Sequence, residues 1–155
     1  MADQHSSKKP NFVYWGIVLS IGVSILIICS SACHNFITMG FRAKRSEAFT
    51  VSEQIRQAEL VYYKEHQKFI AADLTVEKLF KHQQSFDPPV GSGWEKLGVL
   101  PEYGDLRCSY EVKIVKGGED FLIIAQCDLD GDGERCEVHT SKDKEPKLIS
   151  DNSIY

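Results

Sequence analysis

No Asp, Glu, Lys or Arg occurs between Pro10 and Phe41. Within that stretch Phe12 to Ala32 (FVYWGIVLSIGVSILIICSSA) gives 21 residues of almost unbroken apolar sequence. A helix needs about 20 such residues to cross a hydrocarbon layer roughly 30 Å thick. Tyr14 and Trp15 stand at one end of the run and Phe36 and Phe41 near the other, the placement expected of aromatics at a lipid–water boundary. A chain of 155 residues has room for one domain, whose core is too small to wrap a helix that is apolar on every side. The first expectation is therefore a single membrane span over residues 12–36, preceded by a short polar tail at 1–11.

The rest of the chain is different in kind. From Ser46 to Tyr155 there are 13 basic and 21 acidic residues, whereas the residues before Ser46 include five basic and one acidic. A head with this acidic excess is not a generic nucleic-acid binder. Charge is ambiguous about orientation. Lys8 and Lys9 precede the span while Arg42, Lys44 and Arg45 follow it, which favours a cytoplasmic C-terminus; the cysteines discussed below favour an oxidising compartment for the head. Ser30-Ser31-Ala32-Cys33 offers a lipoprotein-type processing site at Cys33 as an alternative to an intact span, with Ser30 where such sites usually carry Leu.

Beyond the span, Ala48, Val51, Ile55, Ala58 and Tyr62 recur at spacings of 3, 4, 3 and 4, one face of an amphipathic helix. No proline lies between Pro10 and Pro88, so one helix is expected to run from the bilayer to about Lys68, with Gly40 its weak point. Residues 37–72 are assigned to this continuation and 73–155 to a connector and head. In the connector Thr75 is expected to cap a short helix bearing Val76, Leu79 and Phe80. Asp87-Pro88-Pro89 and Gly91-Ser92-Gly93 are expected to break regular structure.

Ser109 to Val115 alternates, as does much of Phe121 to Cys127, and Gly117-Gly118 between them reads as a two-residue hairpin turn. With that turn at the centre, Tyr110 opposes Ala125, Val112 opposes Ile123, and Ile114 opposes Phe121. One face is then apolar, Glu111 and Lys113 lie on the other, and the helix stripe is the natural cover for the apolar face. A third strand is expected near Cys136 to Thr140. The fold class is α+β, a long helix packed on a small antiparallel sheet.

The same register puts Cys108 opposite Cys127, close enough for a disulfide. Cys127 paired with Cys136 is the alternative, and would clip the acidic segment between them. Zinc held by Cys127, Cys136 and His139 competes weakly, since no CxxC pair is present. In that acidic segment Asp128, Asp130 and Asp132 alternate ahead of Gly133, like the opening of a calcium-binding EF-hand loop. The loop's expected closing Glu falls on His139, so Glu134 or Glu137 would have to complete the shell of a calcium ion. The plainer reading is an acidic turn between strands. No phosphate-binding glycine loop, GxSxG or HExxH occurs, and the five histidines stand singly, so no enzyme is expected.

His34-Asn35-Phe36-Ile37, Ala43 to Ala48, Ala58 to Tyr63, Trp94 to Pro101, Cys108 to Val112 and Ala125 to Gly133 together resemble the type IV pilins and pseudopilins. The resemblance covers most of the chain beyond residue 11. It implies a head on the periplasmic side of a bacterial inner membrane, a cytoplasmic N-terminus, and other pilin-like or envelope-machine subunits as partners beside the lipid bilayer. Prepilins carry a glycine before the aromatic residue that opens the span, and a glutamate a few residues inside it. Here Asn11 precedes Phe12, and Gly16 and Ile17 occupy the glutamate's region. The implied role is accordingly an accessory, membrane-retained component rather than the main subunit of a filament.

Overall fold

The computed structural model describes residues 12–74, 84–85, 89–99 and 105–155. In chain order they form helix α1 (Phe12–His66), strands β1 (Ala72–Leu74) and β2 (Gln84–Ser85), helix α2 (Gly93–Leu97), and strands β3 (Asp105–Leu106) and β4 (Cys108–Val115). A tight turn at Lys116–Gly118 leads to β5 (Asp120–Cys127), β6 (Cys136–Ser141) and β7 (Lys144–Leu148). The helix expected after Thr75 lies outside the described residues. Two compact units divide the chain, Met1–Met39 and Gly40–Tyr155.

In the first unit the described side chains between Tyr14 and Ser30 are all exposed, Leu26 and Ile28 among the most open. The helix is long and apolar enough to cross a membrane. Two of its hydroxyls are returned to the helix itself: Ser20 Oγ donates to the Ile17 carbonyl and Ser24 Oγ to the Ser20 carbonyl, each at 2.9 Å, so these two donors are satisfied without water.

In the second unit α1 becomes amphipathic. Ala48, Val51 and Ile55 are buried, but the buried face then continues through Ser52 and Glu59, while Ala58 and Tyr62 are only half-buried. At about 100° per residue, Ala58 sits about 80° from Ala48 and Glu59 only about 20°. The centre of the face is thus the line Ala48–Ser52–Ile55–Glu59, which apolar counting misses because two of its members are polar. The helix stops at His66, short of Lys68. Gln67 takes a left-handed backbone (φ 56) and donates its N–H to the Tyr63 carbonyl at 2.8 Å.

The main sheet is antiparallel in the order β1-β4-β5-β6-β7, with β2 and β3 paired separately. The β4–β5 register places Tyr110 opposite Ala125, Val112 opposite Ile123 and Ile114 opposite Phe121. Val112, Phe121 and Ile123 are buried in one cluster with Ala48, Val51 and Ile55; Ile114 packs at its margin. Glu111 and Lys113 pair with each other at 2.9 Å, Lys113 being exposed.

The hairpin turn departs from the two-residue expectation. The strands close at Val115 opposite Asp120, so Lys116 to Glu119 form a four-residue connection. Lys116 (φ 51), Gly117 (φ 68) and Gly118 (φ 104) are all left-handed. The register survives because the longer turn has the same centre. Lys116 holds its place through a 2.6 Å ion pair to Asp120, whose carboxylate burial alone would raise; Lys116 and the backbone N–H groups of Phe121 and Lys142 leave it below the usual carboxylate range.

Gly91-Ser92-Gly93 also does more than break structure. Ser92 caps α2 by accepting the Glu95 N–H at 3.2 Å, and the Glu95 carboxylate accepts the Gly91 N–H in return. This is a capping-box spacing in the sequence. Gly93 is required for contact: a Cβ there would stand 2.2 Å from the Ala71 carbonyl oxygen. That close approach sets α2 against β1, and Trp94 is buried in the same cluster. Strands β1 and β7 had no counterpart in the sequence reading.

Candidate functional site

The β5–β6 connection, residues 128–135, is held at its base by Leu129. That side chain is buried, and its N–H donates to the Tyr155 carbonyl oxygen at 2.8 Å. Gly131 (φ 75) and Gly133 (φ 92) turn the backbone where side chains are disfavoured. Asp128 Oδ1 accepts the Gly131 N–H and Asp132 Oδ1 the Glu134 N–H, both at 2.8 Å.

Asp128, Asp130 and Asp132 each offer an oxygen within 4.8 Å of the others. Asp130 Oδ1 is buried and has no hydrogen-bond partner. Glu134 lies outside this group and is exposed. Three hard oxygen donors on a turn suit calcium chemistry, in which six to eight oxygens share the ion and carbonyls or water complete the shell. His139, at the position of the missing closing Glu, contacts the Glu137 carboxylate through Nε2.

Beside the loop lie the three cysteines of the second unit. Cys108 and Cys127 form a disulfide across β4 and β5. Cys136 opposes Cys127 on β6, and its thiol is free and buried. Burial pushes the Cys136 thiol up, against a smaller lowering by Arg45.

A second polar constellation escapes a count of apolar positions, which passes over the polar residues that share the helix face. Arg45 is buried; its Nη1 donates to the carbonyls of Ile154 (2.9 Å) and Asn152 (3.2 Å), and its Nη2 to Asn152 Oδ1 at 2.6 Å. Its guanidinium lies over the Tyr155 ring, which in turn meets Phe41 at 5.5 Å. Glu47 accepts the Arg107 N–H at 2.8 Å and the Tyr110 hydroxyl at 3.4 Å. Burial, and then Glu47, push the Tyr110 hydroxyl well above its ordinary value. Arg45, Ala48, Ser52, Ile55 and Glu59 repeat the same 3, 4, 3, 4 spacing as the apolar stripe. That spacing was the available signal.

Glu59 is the most costly member. It is fully buried, its Oε2 accepts the Ile70 N–H at 3.2 Å, and its Oε1 has no partner. Burial raises its carboxyl to about 7, with the Ile70 bond pulling slightly the other way.

Among the described residues the chain is thus an α+β protein with one helix long and apolar enough to span a membrane, a disulfide-linked antiparallel sheet, and a tricarboxylate loop. No family model, curated protein or solved structure matches it.

Proposed function

We propose that this chain is a non-enzymatic, membrane-anchored, pilin-like protein, acting as an accessory or minor component of a type IV filament, secretion system or other cell-envelope machine. Its N-terminus is cytoplasmic and its head periplasmic in the bacterial inner membrane. The observation that carries the reading is a single helix whose first part is apolar on all sides and whose second part shares one core with an antiparallel sheet. The extramembrane disulfide supports an oxidising compartment for the head. The test is cross-linking in intact cells followed by affinity capture from detergent-solubilised membranes. Co-recovery of other envelope-machine subunits is expected, with the head digested by protease added outside the inner membrane. Recovery of the protein alone, or a head protected from that protease, contradicts the proposal.

A second reading adds calcium to the head. It is favoured by Asp130 Oδ1, buried without a partner among three converging carboxylates. Asp128, Asp130 and Asp132 would hold the ion, which would supply positive charge to a loop that otherwise repels itself. Calcium at one hundred times its dissociation constant would stabilise the head by about 2.7 kcal/mol. The melting temperature should rise with calcium in the wild type and stay fixed in Asp130→Ala. An unchanged wild-type melting temperature reduces the loop to a turn.

A further inference from the structure

Cys108, Cys127 and Cys136 are consecutive in space, not merely three cysteines in one head. Cys108 opposes Cys127 across β4 and β5, and Cys127 opposes Cys136 across β5 and β6. All three are fully buried, on the face of the sheet that carries Tyr110, Ala125 and Val138. Cys127 is on the middle strand and therefore has a sulfur neighbour on either side.

Antiparallel geometry distinguishes the two sides. The 4.4 Å Cα separation of Cys108 and Cys127 is that of a non-hydrogen-bonded pair. Because backbone polar groups alternate along a strand, Cys127 must then face Cys136 as a hydrogen-bonded pair, with Cα atoms about 5.5 Å apart. Both separations fall within the span over which disulfides form, about 4.4–6.8 Å.

We infer that Cys127 is a shared sulfur, and that the head exchanges its cross-link between strands, from Cys108–Cys127 to Cys127–Cys136. The direction of attack is set by strand order. In thiol–disulfide exchange the incoming sulfur approaches the attacked sulfur from the side opposite the leaving one. With β5 between β4 and β6, Cys136 stands on the far side of Cys127 from Cys108. Cys136 gives up its thiol proton and its thiolate attacks Sγ of Cys127. The new bond joins Cys127 to Cys136; the old bond breaks with its electron pair on Cys108 Sγ, which takes up a proton. One disulfide and one thiol are present before and after, so no oxidant or reductant is consumed.

The two forms constrain different parts of the head. Cys108–Cys127 ties β4 to β5 and leaves the acidic connection held by Leu129 and its own turns. Cys127–Cys136 closes a ring around that connection, containing Asp128, Asp130 and Asp132, and leaves β4 to its ladder bonds. The exchange therefore places the stiffness of the tricarboxylate loop under thiol control. It requires neither the proposed partners nor a bound ion.

The full-length protein in detergent tests this without added thiol. Samples are incubated in the native state, alkylated at intervals, then unfolded and digested without reduction, and cross-linked peptides are read by mass spectrometry. The expected result is two species: Cys108–Cys127 with alkylated Cys136, and Cys127–Cys136 with alkylated Cys108. Cys136→Ser should retain only the first and Cys108→Ser only the second, while Cys127→Ser should lose both. A wild type that shows Cys108–Cys127 alone at every time overturns the inference, whether or not the variants fold. So does a folded Cys108→Ser protein, shown by circular dichroism, that leaves Cys127 and Cys136 reduced under air.

Discussion

The two parts of α1 obey the same backbone rules but answer to different surroundings. Between Tyr14 and Met39 exposed apolar side chains occur on every side of the helix, and serine hydroxyls bond back to the helix's own carbonyls. Between Gly40 and His66 exposure becomes periodic, and the buried line admits Arg45, Ser52 and Glu59. The lesson is that continuous apolarity marks the part long and apolar enough to cross a membrane, whereas spacing marks the part that packs on the sheet. Two of these polar groups meet the backbone there, Arg45 at the carbonyls of Asn152 and Ile154 and Glu59 Oε2 at the Ile70 N–H, whereas Ser52 Oγ and Glu59 Oε1 are buried without a partner.

The sharpest way to break the head side of this comparison is Phe121→Ala. Phe121 is fully buried between the sheet and Phe69, the rings meeting edge-on at 4.9 Å. Its truncation should cost about 3–5 kcal/mol, read by urea denaturation of the head while membrane association is unchanged. On the lipid side, Ile25→Arg should oppose insertion by about 2.5–3.5 kcal/mol. The reduced fraction of carbonate-resistant protein measures this. A head that unfolds more easily in that variant, once inserted, would show that the two parts are not separately solvated.

Glu59 gives the next effect, and its sign is specific. Its folded carboxyl sits at about 7 against an ordinary 4.5. The folded state thus keeps a proton that the unfolded chain releases. Its contribution to stability is fully present below about pH 4.5 and is lost as pH rises through about 7, by up to about 3 kcal/mol. Glu59→Gln cannot ionise. It should be more stable than wild type by about 1–3 kcal/mol at about pH 8 and nearly equal to it at about pH 4.5, in paired thermal melts. A variant that is less stable at the higher pH would show that Glu59 is ionised and paired in the fold. The smallest expected difference lies between two alanines. Ala58→Gln, on the flank, should change stability by under about 0.5 kcal/mol, whereas Ala48→Gln, at a fully buried site, should cost about 1–3 kcal/mol through overpacking. Equal effects in chemical denaturation would return the centre of the face to the apolar stripe.

These contrasts also explain how much was legible in the sequence. The long helix, the β4–β5 register and the Cys108 opposition to Cys127 were readable because period and turn centre fix them together. Strand β7 was not: Lys144-Glu-Pro-Lys-Leu148 is an edge strand with a proline and little apolar alternation, and it exists by pairing with β6. Strand β1 is three residues long and is positioned by tertiary contacts, notably the Gly93 approach to Ala71. At the candidate site Asp128, Asp130 and Asp132 were legible from alternation and glycine spacing. Arg45 and Glu59 were not legible from apolar residues alone, although their spacing with Ala48, Ser52 and Ile55 already placed them on the buried face.

The most direct test of one helix serving two solvents is a nitroxide scan along α1 in lipid nanodiscs, reading accessibility to molecular oxygen at successive positions. From Ile17 to Ile28 the account predicts high accessibility at every position, without a helical period. From Arg45 to Glu59 it predicts a period of about 3.6 residues, with minima at Ala48, Ser52, Ile55 and Glu59. A 3.6-residue period of protection in the first segment, or its absence in the second, would contradict it.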